Sequence, residues 1–169
     1  MKYFFLVISL ALLSFFFYKG LEKDPSIIPS NLIKKEIPDF KLNETKLFPF
    51  FEKSDLLESK DLKMVNFFAS WCPPCKIEHP NLIKLSEKFP IYGIAKKDSD
   101  NKIYNWLKKS GNPFKAIGLD NDGSASINWG VYGLPETFLI SGDGKILYKH
   151  VGPITKKDLS KIFKILARE

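Results

Sequence analysis

Cysteine, histidine, methionine and arginine are all scarce in this chain of 169 residues. There are two Cys, two His and two Met, and among 26 basic residues only Arg168 is an arginine. Two cysteines exclude a disulfide-rich scaffold and a zinc site built from four thiolates. The near-absence of Arg removes the planar fork that reads base edges and clamps phosphates. A net charge of +7 carried by Lys describes a solvated surface, no nucleic-acid-binding motif accompanies it, and no nucleic-acid partner is expected. Eleven Pro and ten Gly are too few for a low-complexity or collagen-like chain, and 44% hydrophobic residues suffice for a packed core. Long apolar runs are also missing, with one exception.

That exception is at the start. Residues 3–18, YFFLVISLALLSFFFY, carry no charge, and Lys2 and Lys19 bracket them. As a helix these residues span about 24 Å, somewhat short of a hydrocarbon core of about 30 Å. Snorkelling Lys2 and Lys19 and interfacial Tyr3 and Tyr18 cover the difference. A cleaved signal peptide needs small residues at its cut site. This run ends Phe15-Phe16-Phe17-Tyr18-Lys19, so residues 1–19 read as an uncleaved, single-pass anchor. The flanking charges are nearly balanced and orient it only weakly. Residues 20–36, with Pro25 and Pro29 and no helical or strand period, read as a linker. One domain then occupies residues 37–169.

Within that domain the pattern alternates. Residues 62–68, 91–95, 116–119, 137–140 and 146–150 read as strands. Residues 75–88, 99–109 and 155–167 read as helices, with shorter helical turns at 55–59 and 125–129. Ser141-Gly142-Asp143-Gly144 joins the last two strands as a hairpin. In the 75–88 helix Ile77, Leu82, Leu85 and Phe89 are the expected buried positions, and His79 is expected on the surface. Such an order predicts an α/β domain with a central mixed sheet flanked by helices.

The two cysteines form Cys72-Pro73-Pro74-Cys75, after a predicted strand and at a predicted helix start. Free N–H groups and partial positive charge at a helix N-terminus favour a thiolate. Cys72 is expected to be the more exposed sulfur and the nucleophile, with Cys75 resolving the mixed disulfide. A structural disulfide closing so short a loop restrains the unfolded chain little. A metal site needs about four ligands, and only His79 and His150 are left to join the two thiols. Neither proline has an N–H, so two donors that would stabilise a Cys72 thiolate are missing. A less acidic thiol and a reducing couple follow.

The segment Phe67-Phe68-Ala69-Ser70-Trp71-Cys72-Pro73-Pro74-Cys75 resembles the active-site segment of thioredoxin-fold proteins. Trp129-Gly130-Val131-Tyr132-Gly133-Leu134-Pro135-Glu136-Thr137-Phe138-Leu139-Ile140, with Tyr148-Lys149-His150-Val151-Gly152-Pro153, resembles the cytochrome c biogenesis subgroup known as CcmG or DsbE. The resemblance spans roughly residue 37 to the end. It implies a thioredoxin fold and thiol-disulfide exchange without a metal or organic cofactor. It implies a cis Pro135 opposite the CxxC, and a groove lined by Trp71, Pro73, Pro74, Leu134, Pro135 and Thr137. It makes Glu78 and Glu136 candidates for tuning the cysteine pKa values or relaying protons. Asn66 stands where thioredoxin has a buried acid, which moves any acid–base role to Glu78 or Glu136.

The resemblance also implies a monomer anchored in a bacterial inner membrane, its C-terminal domain in the periplasm. Its partners would be apocytochrome c or a cytochrome c maturation protein, with a membrane thiol donor restoring the dithiol. A general periplasmic reductase and a copper-delivery protein of the same fold are the alternatives. The two-residue spacing of the cysteines argues against the copper reading.

Overall fold

The computed structural model describes residues 2–21, 31–58 and 60–166, with residues 2, 165 and 166 described in backbone only. Arg168 and most of the expected linker lie outside them. The first helix, α1 (Lys2–Leu21), is 20 residues long, about 30 Å. Tyr3–Tyr18 is apolar on every face, and none of Tyr3–Leu21 is buried against the rest of the chain.

Ten further elements follow in chain order: α2 (Lys53–Leu57), β1 (Lys63–Phe68), α3 (Pro73–Ser86), β2 (Ile91–Lys96), α4 (Asp100–Ser110), β3 (Phe114–Asp120), α5 (Ser124–Asn128), β4 (Glu136–Ile140), β5 (Ile146–Val151) and α6 (Lys156–Leu166). The five strands form one sheet in the order β3-β2-β1-β4-β5. β1 runs parallel to β2, and β2 to β3. β4 runs antiparallel to both β1 and β5. This is the mixed sheet expected from the sequence. β1 lies at its centre and is buried along its whole length, as a strand covered on both faces must be.

Strand alternation divides the core into two. Met64, Phe68 and Leu139 face one side, where α3, α4 and α6 pack through Leu82, Leu85, Ile103, Leu107, Leu159 and Ile162. Val65, Phe67, Phe138 and Ile140 face the other, against Ile37, Phe51, Leu56 and Trp129. The packed body starts before Ile37. Lys34 N–H donates to the Ile146 carbonyl (2.8 Å) and Ile37 N–H to that of Gly144 (3.0 Å), and Leu32 and Ile33 pack on the second core.

Local chemistry sets the element ends. Pro73 and Pro74 occupy the first two positions of α3, where a missing N–H costs nothing and the fixed φ suits the helix. α4 has Asp100 in its first turn and Lys108 and Lys109 in its last, and stops at Gly111 with φ +88°, complementing its dipole. Gly144, at φ +81°, supplies the left-handed turn residue of the β4–β5 hairpin.

Candidate active site

β1 delivers the chain to Cys72, which caps α3. Cys72 and Cys75 are joined as a disulfide, with Cα atoms 5.3 Å apart. The Cys72 sulfur accepts the Cys75 N–H at 3.2 Å. The two prolines thus leave one backbone donor on this sulfur, the N–H at the third position of the helix. In this oxidised form both cysteines are buried, at 3% and 1% exposure, yet they are not equivalent. A cavity of about 310 Å³ is lined by Cys72 with Trp71, Pro73, Pro74, Gly133, Leu134, Lys96 and Lys97. Cys75 is not among its walls. Trp71 is 55% exposed, and its indole N–H donates to the Lys97 carbonyl (3.1 Å), which sets the ring at the cavity edge. The Leu134–Pro135 bond is cis, and Leu134 faces Cys72 across the cavity. Pro135 is buried behind it.

The inward face of α3 differs from the expected one. Cys75, Glu78, His79, Leu82 and Leu85 are its buried residues, a spacing of three, four and seven that defines one helical stripe. Ile77 lies off that stripe and is 70% exposed. His79, expected on the surface, is 3% exposed. Its Nε2 lies 3.0 Å from the Gly111 carbonyl, its ring packs 4.7 Å from that of Trp106, and burial holds its pKa below the usual imidazole value.

Glu78 is fully buried, three residues past Cys75 on this stripe. Its Oε1 accepts from Asn66 Nδ2 (2.9 Å), and its Oε2 accepts from Ile154 N–H (2.9 Å). Asn66 Nδ2 also donates to Thr137 Oγ1 (2.9 Å), across the β1–β4 pair where the two residues sit opposite each other. Asn66 Oδ1 is buried without a hydrogen-bond partner. Loss of water raises the Glu78 pKa to about 7, against the pull of the Ile154 N–H and the Asn66 amide. Thr137, expected in the groove, is 2% exposed and belongs to this polar cluster beneath the cysteines.

Glu136 lies on the other face of the sheet. It shares the side of Phe138, whereas Asn66 and Thr137 share the side of the cysteines. Its Oε1 accepts from the N–H groups of Tyr132 (2.7 Å) and Gly133 (3.1 Å). Its Oε2 is 2.9 Å from Lys149 Nζ in an ion pair with both side chains almost wholly buried. Lys149 Nζ donates to the Gly130 carbonyl (2.7 Å) and sits 4.5 Å over the Tyr132 ring.

The Redoxin family model matches residues 33–166. The chain is 41% identical over 144 residues to the thiol:disulfide interchange protein DsbE homolog of Paracoccus denitrificans, covering 85% of this chain and 79% of that one. It is 38% identical over 154 residues to the thiol:disulfide interchange protein DsbE of Escherichia coli strain K12, covering 90% and 83%. The chain belongs to the DsbE-type thiol:disulfide interchange proteins. It is a thiol:disulfide oxidoreductase, and Cys72 and Cys75 are its Cys-X-X-Cys pair. The crystal structure of a thiol:disulfide interchange protein of the thioredoxin family from Chlorobium tepidum superposes with a TM-score of 0.59 at 24% identity, covering 82% of this chain and 98% of that one. That likeness supports the thioredoxin fold.

In this DsbE-type site the expected residues divide into three groups. Trp71, Cys72, Pro73, Pro74 and Leu134 meet at the cavity. Cys75, Glu78 and Thr137 lie beneath it on the α3 side, and Asn66 links Glu78 to Thr137. Glu136 is tied to the loop before Pro135, on the far side of the sheet. Lys149 is not among the candidate site residues legible in the sequence. The available signal was diagonal pairing: Lys149 sits opposite Phe138, two residues from Glu136 on the same face, within reach of a long side chain.

Proposed function

We propose that this protein reduces disulfides in extended polypeptide segments on the periplasmic side of a bacterial inner membrane, with α1 as its anchor. The resemblance described above supports apocytochrome c, or a maturation protein that hands it on, as the substrate. The observation that carries the chemistry is the asymmetry of the cysteines. Cys72 lines the cavity beside Leu134, and Cys75 is buried on the stripe it shares with Glu78.

In the reduced protein, the Cys72 thiolate attacks one sulfur of the substrate disulfide. A mixed disulfide forms, and the other substrate sulfur leaves as a thiolate and takes a proton. Cys75 gives its proton to the Glu78 carboxylate and attacks the Cys72 sulfur; the second substrate sulfur leaves as a thiolate and takes up a proton while Glu78 gives one back to solvent. Two electrons have passed to the substrate, and the Cys72–Cys75 disulfide remains. A thiol donor in the membrane returns two electrons and two protons. A carboxyl with a pKa of about 7 is suited to exchange protons at neutral pH. Glu78 is the working acid–base in this reading, because Glu136 is on the opposite face and held by Lys149.

Trapping tests the assignment. Cys75→Ser should accumulate a substrate bound through Cys72, released by dithiothreitol and identifiable by mass spectrometry, whereas Cys72→Ser should accumulate none. The reverse pattern would exchange the two roles. Deleting the gene should abolish c-type cytochromes selectively. Normal cytochromes with other exported proteins left oxidised would point to a general reductase.

A further inference from the structure

The mechanism above leaves Lys149 unused, although its ammonium meets a carboxylate, a backbone carbonyl and an aromatic ring. Lysine is seldom buried unless it is paired. Here the side chain is 2% exposed and its ammonium is 2.9 Å from an equally buried carboxylate. Three of its contacts converge on one stretch of chain. The ammonium binds the Gly130 carbonyl directly. Through Glu136 it holds the Tyr132 and Gly133 N–H groups. Its charge also faces the Tyr132 ring, a favourable cation–π placement. Residues 130–133 are therefore fixed at three backbone groups, and they lead straight into Gly133 and Leu134, which form one wall of the Cys72 cavity. The start of the loop is also tied by the Gly130 and Val131 N–H groups to the Ile127 and Ser126 carbonyls, and Val131 and Leu134 pack on the core, but the Tyr132–Gly133 segment between them is exposed and its two N–H groups are held by Glu136. Lys149 itself does not line the cavity.

We propose that Lys149, acting through Glu136, is a positioning residue that sets the Gly130–Leu134 loop to receive the backbone of a polypeptide substrate. It thereby determines preference for polypeptide over small disulfides. This rests on the reading that an extended segment docks beside Leu134. A small disulfide needs only the Cys72 sulfur, whereas a polypeptide also needs a backbone edge held in place. The loss of one partner of a buried pair is costly because the other charge is left uncompensated. The paired variant Lys149→Met/Glu136→Gln removes both charges together.

The test uses the reduced full-length protein in detergent with two substrates. One is a synthetic peptide of about twenty residues closed by a disulfide; the other is glutathione disulfide. Lys149→Met should lower kcat/KM for the peptide about tenfold, chiefly through KM, and at least five times more than for glutathione disulfide. Lys149→Arg, which keeps the charge and the reach, should restore most of the loss. The reduction potential should match that of the native protein. If Lys149→Met does not fold, the paired variant is read instead, with the same selective loss expected. Equal losses on both substrates, a changed potential, or an unchanged peptide KM would each overturn the proposal. Wild-type protein that reduces glutathione disulfide but not the peptide would instead refute the polypeptide-substrate reading on which it rests.

Discussion

Glu78 carries a carboxyl into the core at a helix position that an apolar residue would ordinarily fill, and its proton balance has a measurable consequence. Its pKa in the folded protein is raised to about 7, whereas an unfolded chain would show an ordinary Glu value of about 4.3. Between those values the folded state holds a proton that the unfolded state has released. The stability Glu78 contributes is therefore present at low pH and falls as pH rises through this window. Glu78→Gln removes the ionisation. The variant should match the native protein at pH 4.5 and exceed it by about 3 kcal/mol at pH 8, read from urea midpoints of the oxidised form. The unpartnered Asn66 Oδ1 makes the swap tolerable, since the Asn66 amide can turn and accept from the new amide while the Thr137 hydroxyl donates. The same variant should flatten the pH dependence of mixed-disulfide resolution near pH 7. A persisting inflection there would assign the proton to another group.

At the scale of elements, α3 shows why the candidate site was only partly legible. Its place in the chain, its start at the CxxC and its two leading prolines were readable, because local rules govern a helix N-terminus. Its buried stripe was misread at Ile77 and His79. Hydrophobicity favours the isoleucine, but the cysteine pair and the polar pocket fix which face turns inward. β2 shows a constraint that no local rule reveals. A Cβ on Gly93 would lie 2.8 Å from the Phe68 ring and 2.9 Å from that of Phe114, two rings stacked at 4.5 Å. Gly93→Ala must push this stack apart. It should destabilise the domain by about 1–3 kcal/mol, seen as a lower urea midpoint with an unchanged slope. An unaltered midpoint would mean that the aromatic layer has slack.

For the whole molecule, α1 and the packed body are separate physical problems. Nothing of Tyr3–Leu21 is buried, and neither core draws a residue from it. The body closes on itself through Lys34, Ile37 and the β5 edge. Removing residues 1–30 should therefore move the protein from the membrane fraction to the soluble fraction while keeping dithiol exchange within about twofold. A truncated protein that still sediments with membranes would place the membrane contact in the body, and one that loses exchange would give the first thirty residues a part in the chemistry.

The sequence by itself determined the apolar helix, the order of strands and helices, and the redox pair. Each is written in neighbouring residues: an uncharged run, a period of two or 3.6, a CxxC at a helix start. Only the tertiary structure separates the two carboxylates in space. Glu78 and Glu136 are 58 positions apart in the chain, and both look like candidate acids. Strand pairing places Glu136 on one face of the sheet, and helix packing places Glu78 on the other, with the cysteines. Water exclusion then leaves Glu78 with a raised pKa, and Lys149, arriving from a strand further on, holds Glu136 in an ion pair.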